Sequence, residues 1–344
     1  MRRWMVGFVA TIAVVFSAAP AWACGGLVAP NGTVNLLKTT TLAGYHAGVE
    51  HYVTSFEFAG GGGEFGSIVP LPGIPSDVVR GGDWTLQRLV REVSPPVAER
   101  SALNSGVAFA SAGADALLEK RIDALDITIL KGGADEVGQW ALDNGFALPP
   151  DAPEVLEFYA SRSPIFMAAR FDASTAARLG QQIGDGTPIH LSIPTQTPWV
   201  PLRILSLGRR ASETVQADVF LLTDEEPNLL PQAGPTMTLE RSEQASQSLI
   251  DDLRSDKGMD WIPESGMWLS YLTIDTAARD LDHDLAIDPT GAAVPSPVAA
   301  GLVLPPQIEE LAADGAPLWA WAAGLLFVVV VLAGVNRFVG DPGR

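Results

Sequence analysis

The sequence predicts an α+β protein with a mainly antiparallel sheet, several packed amphipathic helices and one C-terminal transmembrane helix. Short segments with strand-like alternation are numerous, and they do not alternate with helices as strand, helix, strand along the chain. Several other segments place apolar residues at helical spacing. In addition, no residue from Pro317 to Val335 is charged.

Composition restricts the class of protein. The chain has 344 residues, a formal net charge of −18, 47% hydrophobic residues and 18% charged residues. This apolar content excludes a disordered chain. The excess of carboxylates argues against a nucleic-acid partner, because phosphate contacts require concentrated Lys and Arg. The single cysteine, Cys24, excludes a disulfide framework or a multi-thiolate zinc site within one chain.

The first 23 residues are interpreted as a signal peptide. Arg2 and Arg3 precede the apolar run Val6–Phe16, and Ala21-Trp22-Ala23 has the small-x-small pattern of a cleavage site. Cleavage after Ala23 would leave Cys24 as the first residue of the mature chain. An uncleaved N-terminal anchor and lipidation of Cys24 are the alternatives.

The uncharged segment 317–335 is predicted to be a transmembrane helix. At 1.5 Å per residue it spans about 28 Å, close to the thickness of about 30 Å of a bilayer core. Trp319 and Trp321 lie at its N-terminal edge and Arg337 follows it, so the tail 336–344 is expected in the cytoplasm. The expected location is the cell membrane, crossed once, with the main domain extracytoplasmic.

Two further regions complete the predicted organisation. Residues 24–288 are expected to form the extracytoplasmic α+β domain, and the Pro- and Ala-rich residues 289–316 are expected to form an extended stalk.

Strands are predicted where apolar and polar residues alternate between turn signals. Val49–Phe58 alternates most regularly, with Tyr52 and Thr54 on one face and His51 and Val53 on the other. The other predicted strands are 65–69, 125–130, 165–171, 189–193, 201–205, 215–223 and 267–274. Of these, 215–223 is expected to lie centrally in its sheet.

Helices are predicted where apolar residues recur at positions i, i+3, i+4 and i+7. Asp83 is expected to cap the first helix, which Ser94-Pro95-Pro96 ends; its apolar stripe is Leu86, Leu89, Val90 and Val93. A short helix over 135–144 is closed by Gly145, and another begins at Pro153. The segment 238–255 is predicted to be a single amphipathic helix.

Cys24-Gly25-Gly26, followed by an alternating strand and then by a proline-rich run, resembles a family of exported bacterial proteins of unknown function, domain of unknown function 2330. The run is Phe65-Gly66-Ser67-Ile68-Val69-Pro70-Leu71-Pro72-Gly73-Ile74-Pro75. Later stretches that share the likeness are Trp140–Gly145, Pro149-Pro150, Phe158-Tyr159 and Pro201–Ile204. The resemblance covers about residues 24–288. It implies export and frequent membrane tethering, and it supplies no activity and no site residues.

Few residues stand out as candidates for chemistry. A mature N-terminal Cys24 could act as a nucleophile or be acylated, but a packing role or a residue left by processing is favoured. His46, Glu50 and His51 lack the His-Glu-x-x-His spacing of a zinc helix, and ordinary hydrogen bonding is favoured for them. His190, within a predicted strand, is interpreted as structural.

The densest acidic stretch is Asp280-Leu281-Asp282-His283-Asp284 together with Asp288. Weak calcium binding is conceivable there, but Leu285 and Gly291 occupy the positions where an EF-hand needs Gly and Glu, so a solvated loop is favoured. The tryptophans of the main body are expected in the core, with Trp199 the most exposed of them. The acidic pair Glu225-Glu226 after Asp224 is expected in a solvated turn.

These observations lead to a functional expectation without assigned catalytic, cofactor-binding or metal-binding residues, and without a cofactor. The chain is expected to be a membrane-tethered extracytoplasmic domain that binds a partner membrane protein or an envelope component without catalysis. The alternative is an envelope hydrolase or acyltransferase that uses Cys24 or acidic residues. A passive spacer or assembly factor is a third possibility.

Overall fold

Strands dominate the described part of the protein. The structure, a computed structural model, describes residues 26–30, 35–59, 64–94, 117–180 and 187–305. Its strands are β1 (Leu27–Val28), β2 (Asn35–His46), β3 (Val49–Ala59), β4 (Phe65–Pro70), β5 (Asp77–Arg80), β6 (Leu118–Ile122), β7 (Leu125–Lys131), β8 (Ile165–Phe171), β9 (Ile189–Pro194), β10 (Trp199–Val200), β11 (Thr214–Thr223), β12 (Asn228–Leu230), β13 (Met237–Gln244), β14 (Trp268–Ala277) and β15 (Leu285–Asp288).

The helices are short and lie between the strands along the chain. They are α1 (Thr85–Val93), α2 (Ala134–Asp143), α3 (Ala152–Ala160), α4 (Ala173–Arg178) and α5 (Gln247–Ser255), with 3₁₀ turns at Arg203–Ser206 and Ala278–Asp280.

The strands form three sheets. A seven-stranded sheet has the order β13-β14-β11-β2-β3-β9-β5, a five-stranded sheet the order β1-β4-β8-β7-β6, and a three-stranded sheet the order β10-β15-β12. Among these strands β2 and β11 pair in parallel, and the remaining neighbours pair antiparallel. The predicted strand over 215–223 is confirmed as central, because β11 lies between β14 and β2.

Two hydrophobic cores hold the sheets and helices together. In one cluster, Leu42 and Phe220 of the seven-stranded sheet meet Leu89 of α1 and Leu253 of α5; we call this cluster the helix-side core. The larger cluster joins the opposite face of that sheet to the other two sheets and to α2 and α3; we call it the main core. Its members include Tyr52, Ile193, Ile68, Met167, Leu285 and Tyr159. Because successive residues of a strand point to opposite faces, β2, β3, β11 and β14 each contribute to both cores.

The predicted fold class, α+β with packed helices and one C-terminal transmembrane helix, is wrong. The structure is mostly sheet, with 39% strand against 21% helix, and the strands are divided among several sheets. No helix within the described residues is long and apolar enough to cross a membrane. The segment Pro317–Val335 lies outside the described residues, as do the predicted signal peptide 1–23, Cys24 and the tail 336–344.

Part of the difference lies in one segment. Residues 238–255, predicted as a single helix, form most of β13 and then, after a turn, α5. Ser246 caps α5, because its side-chain oxygen accepts a hydrogen bond from the Leu249 amide at 3.2 Å. The residues before this cap form a strand because they pair with β14, and apolar residues at helical spacing give no sign of that pairing.

Two smaller predictions are also wrong. The predicted strand 201–205 is wrong, because a 3₁₀ turn spans Arg203–Ser206. Asp83 does not cap α1, since the carboxylate of Asp256 accepts the hydrogen bonds of the first amides, including Thr85 N–H at 2.8 Å. Both outcomes depend on contacts between residues distant in sequence.

The segment that follows β15 packs on the domain as far as it is described. Ala300 is fully buried, and its carbonyl accepts a hydrogen bond from the Asp284 amide at 2.9 Å. The compact unit extends to Leu304, so residues 289–304 of the predicted stalk belong to it.

Candidate functional site

Strand β3 carries two of the sequence-predicted polar candidates, and it separates them. Glu50 lies on the face of the sheet that packs on the main core, and His51 lies on the face that packs on the helix-side core, because consecutive strand residues face opposite ways. His46 lies at the end of β2, where its Nδ1 is 2.8 Å from Asp224 Oδ1 at the surface. The three residues therefore do not form a common metal site.

His51 pairs with His190 beside the helix-side core. His51 Nδ1 lies 3.0 Å from His190 Nε2, and the His51 ring stacks on Trp261 with a centroid distance of 4.0 Å and an interplanar angle of 3°. Gly44 makes room for this stack, since a Cβ there would lie 2.1 Å from the indole. Both imidazoles are buried, so the sequence-based interpretation of His190 as a structural residue agrees with its position.

Burial keeps the two imidazoles neutral. Desolvation, together with the charges of His190 and His46, lowers the pKa of His51 to about 3. Desolvation also lowers the pKa of His190 to about 4, although Asp77 and Asp260 oppose that shift. A neutral pair can hold one proton between the two facing nitrogens, one ring donating and the other accepting.

Glu50 is fully buried on the other face of β3. Neither carboxylate oxygen has a hydrogen-bond partner among the described residues. Desolvation raises the pKa of Glu50 to about 8; the nearby backbone of Trp199 opposes this shift without reaching hydrogen-bond geometry. The carboxyl group is therefore held largely in its neutral form at neutral pH.

The acidic stretch 280–288 is not a solvated loop throughout. Asp284 is fully buried and its Oδ2 lies 2.6 Å from Arg162 Nη2, while residues from Leu285 onward form β15. Asp280 and Asp282 are exposed and point elsewhere. Within the described ranges no group of three or more His, Cys, Asp or Glu side chains is placed to hold a metal ion.

The tryptophans of the main body are partly buried except for Trp199, for which the prediction of exposure is wrong. Trp199 is 3% exposed, because the short strand β10 pairs with β15 and the indole stacks on Tyr159 at 5.8 Å. Trp140 and Trp261 pack against the two cores. The prolines around Trp199 indicated an exposed loop. Instead, Trp199 and Val200 pair with Ala286 and Leu285, a strand some 85 residues later that the local sequence does not reveal.

The cavity found between the sheets is small. It measures about 10 Å³, enough for a single water molecule, and it lies among residues of the main core. Its walls include Thr39, Tyr52, Ile68, Val200, Leu205 and Val219.

A different feature is accessible, namely one of the two edge strands of the seven-stranded sheet; the other is β5. We call this accessible strand the β13 edge (Met237–Gln244). On one side this strand pairs with β14; on the other, Gly234 hydrogen-bonds with the backbone of Met237 and no described strand pairs with the residues that follow. A bulge interrupts the pairing between Leu239 and Arg241. Thr238, Leu239, Glu240, Glu243 and Gln244 are exposed. Sequence reasoning missed this edge because it interpreted the segment as helix.

Carboxylates surround the β13 edge. Glu240 and Glu243 lie on the strand itself, Ser242 donates a hydrogen bond of 3.4 Å to Glu226, and Arg241 donates one of 3.2 Å to the backbone carbonyl of Glu92. The guanidinium of Arg241 also lies 3.2 Å from Glu243 Oε1. Arg88 Nη1 lies 2.6 Å from Glu92 Oε2, so two cations, Arg241 and Arg88, face these four carboxylates and the local charge remains negative.

The fold and these positions define a sheet-rich domain in which Glu50, His51, His190 and Asp284 are buried and an acidic strand edge is exposed. A family model described as "uncharacterized protein conserved in bacteria (DUF2330)" matches residues 18–225, which is more than half of the chain. The protein belongs to this family, as the sequence resemblance predicted.

Solved structures give only distant likenesses. The crystal structure of baculovirus P35 is 8% identical, with a TM-score of 0.40 over 75% of this chain and 97% of that chain. The caspase-8/P35 complex is 8% identical, with a TM-score of 0.37 over 73% of this chain and 96% of that chain. No curated protein matches the sequence. None of these likenesses carries a function over to this protein.

Proposed function

We propose that this protein is an exported, non-catalytic domain on the outer side of the cell membrane, where it binds a partner protein or a component of the cell envelope. The observation that carries the proposal is the β13 edge. An edge strand exposes backbone N–H and C=O groups that an extended segment of another molecule can bind.

The placement of the ionisable groups supports binding rather than catalysis. Glu50, His51, His190 and Asp284 are each at most 8% exposed, so a substrate cannot contact them without opening a core. Glu50 faces the interior of the main core, and Asp284 is held by Arg162. Solvent does reach the carboxylates of the β13 edge, Glu240 and Glu243.

Export is tested first. The full-length chain is expressed in a bacterium, and protease is added to intact spheroplasts. We expect the main domain to be digested, and the mature N-terminus determined by intact-mass measurement to begin at Cys24. Complete protection of the domain until the cells are lysed would overturn the proposed location.

Binding is tested by site-specific cross-linking in the same cells. A photo-reactive amino acid replaces Gln244 on the β13 edge in one variant and Asp143, an exposed residue of α2, in a matched control. We expect a discrete adduct with an envelope protein or polymer from position 244 and none from position 143. Absence of an adduct at 244, or turnover of envelope polymers or esters by the purified chain, would overturn the proposal.

A further inference from the structure

We infer that the β13 edge recognises an extended peptide segment rich in Lys or Arg, which adds to the seven-stranded sheet as a further strand. This inference rests on the proposed function and names the chemistry of the partner. The main-chain hydrogen bonds of such a strand supply affinity, and the side chains beside the edge supply selectivity.

The backbone geometry at the edge suits one added strand. Residues Met237–Gln244 hold an extended conformation because β14 fixes them in register on one side, from Met237 opposite Ile274 to Gln244 opposite Trp268. Ser242 is held further by the indole of Trp268, whose Nε1–H donates to its hydroxyl at 2.9 Å. A partner segment therefore meets a strand that is already ordered, which lowers the entropic cost of binding.

Charge selects the partner. Glu240, Glu243, Glu226 and Glu92 lie on or beside the edge. Arg241 contacts Glu243 and the Glu92 carbonyl, and Arg88 pairs with the Glu92 carboxylate at 2.6 Å, so Glu240 and Glu226 are the carboxylates of this group without an ion-pair partner among the described residues. Ser246, next to the end of β13, donates a hydrogen bond of 3.4 Å to Glu92 Oε1, which keeps that carboxylate beside the strand. Basic side chains of an added strand would meet at least two exposed carboxylates.

The same charges disfavour other occupants. A second copy of this chain would bring an equally acidic edge, and each chain has a net charge of −18. A neutral apolar strand would leave the Glu240 and Glu243 carboxylates to be desolvated without a counter-charge. The bulge between Leu239 and Arg241 further restricts long, flat pairing with a hydrophobic strand.

The experiment uses the full-length chain and a labelled octapeptide of alternating Lys and Val or Thr, with both ends blocked. Two control peptides have Glu in place of each Lys, or Pro in place of each Val and Thr. The proline peptide keeps the charge but lacks the N–H groups that strand pairing needs. Binding is measured by fluorescence anisotropy, and protection of the β13 amides is measured by hydrogen exchange.

We expect the Lys peptide to bind and to protect the β13 amides, while the two control peptides bind at least about tenfold more weakly. Charge reversal at the edge, Glu240→Lys with Glu243→Lys, should weaken Lys-peptide binding by at least about tenfold. The matched variant Asp143→Lys with Glu157→Lys changes net charge equally on α2 and α3, and should weaken it by less than about threefold.

Three outcomes would overturn the inference. These are equal binding of the Lys and Pro peptides, equal weakening by the two charge-reversed variants, and binding without protection of β13. Export and cross-linking from position 244 do not use the peptide. An adduct there with a partner lacking basic segments would overturn this inference while leaving the proposed function intact.

Discussion

Arg162 and Asp284, 122 residues apart, form a buried ion pair with 2.6 Å between Nη2 and Oδ2. The side chains are 2% and 0% exposed. Asp284 Oδ1 also accepts hydrogen bonds from the Tyr159 hydroxyl and from the Leu202 amide, at 2.8 and 2.7 Å. One carboxylate thus joins the end of α3, the segment before the 3₁₀ turn and the start of β15.

Replacing this carboxylate should be costly. Asp284→Asn leaves the buried guanidinium of Arg162 without a counter-charge, and we expect it to lower the free energy of unfolding by about 3–5 kcal/mol. Asp282→Asn removes an exposed carboxylate two residues away and should change it by less than about 0.5 kcal/mol. Urea unfolding followed by circular dichroism measures both. Equal midpoints for the two variants would contradict the prediction.

The position of Asp284 shows where inference from the sequence ends. The acidic stretch is visible in the sequence, and its spacing differs from that of an EF-hand loop. What distinguishes Asp284 from Asp280 and Asp282 is its contact with Arg162, a residue more than a hundred positions earlier. Local patterns carry no information on such a contact, because it is set by how the sheets pack.

Asp256 supplies a second long-range contact, as the cap of α1. Its carboxylate accepts hydrogen bonds from the amides of Asp83, Trp84 and Thr85, and from the Thr85 hydroxyl at 2.6 Å. We expect Asp256→Ala to lower the free energy of unfolding by about 1–3 kcal/mol, because the first amides of a helix then lose their acceptor. Asp256→Asn, which keeps one acceptor oxygen, should cost less. Equal stability of Asp256→Ala and the parent protein, by urea unfolding, would refute the capping role.

The imidazole pair should make the protein acid-sensitive. The pKa values of His51 and His190 are lowered to about 3 and about 4 in the folded state, against 6.5 in the unfolded chain. The stabilisation is therefore fully present above pH 6.5, and each imidazole loses about 1.4 kcal/mol per pH unit below it until its folded pKa is reached. Urea midpoints between pH 7 and 4.5 should fall accordingly.

The variant His51→Gln with His190→Gln tests the source of this slope. It removes both buried imidazoles, so its urea midpoint should depend less on pH over the same range. Each single variant, His51→Gln or His190→Gln, should give a slope between those of the double variant and the parent. Identical slopes for the double variant and the parent would assign the acid sensitivity to other groups.

Glu50 should contribute the opposite pH dependence. Its pKa is raised to about 8 when folded, against 4.5 when unfolded, so its contribution is fully present below pH 4.5 and is lost as pH rises through 8. Glu50→Gln keeps the shape without the charge. We expect the variant to equal the parent near pH 4.5 and to be increasingly more stable towards pH 8, as measured by urea unfolding at several pH values. A constant difference across this range would refute the raised pKa.

Elements fixed by local contacts were predicted from the sequence, and features that depend on contacts distant in sequence were not. Local strand signals predicted β3, β4, β7, β8, β9, β11 and β14, and apolar spacing predicted α1, α2 and α3, because the residues of each element carry these signals themselves. The β13 edge and the burial of Trp199 were not predicted. Each depends on a partner strand, β14 or β15, that comes later in the chain. For that reason the accessible edge could not be found from sequence alone.

Gly44 should be irreplaceable because of Trp261. A Cβ at this position would lie 2.1 Å from Cη2 of the indole, so Gly44→Ala must displace the ring from its stack on His51. We expect a loss of about 1–3 kcal/mol in the free energy of unfolding and a changed near-ultraviolet circular dichroism spectrum. Gly138→Ala, in α2 with its nearest neighbour at 3.9 Å, is the control and should be neutral or stabilising. Because Phe is smaller than Trp, adding Trp261→Phe to Gly44→Ala should cost less than the sum of the two single changes. Additive losses would show that the clash with Trp261 is not the reason that position 44 needs glycine.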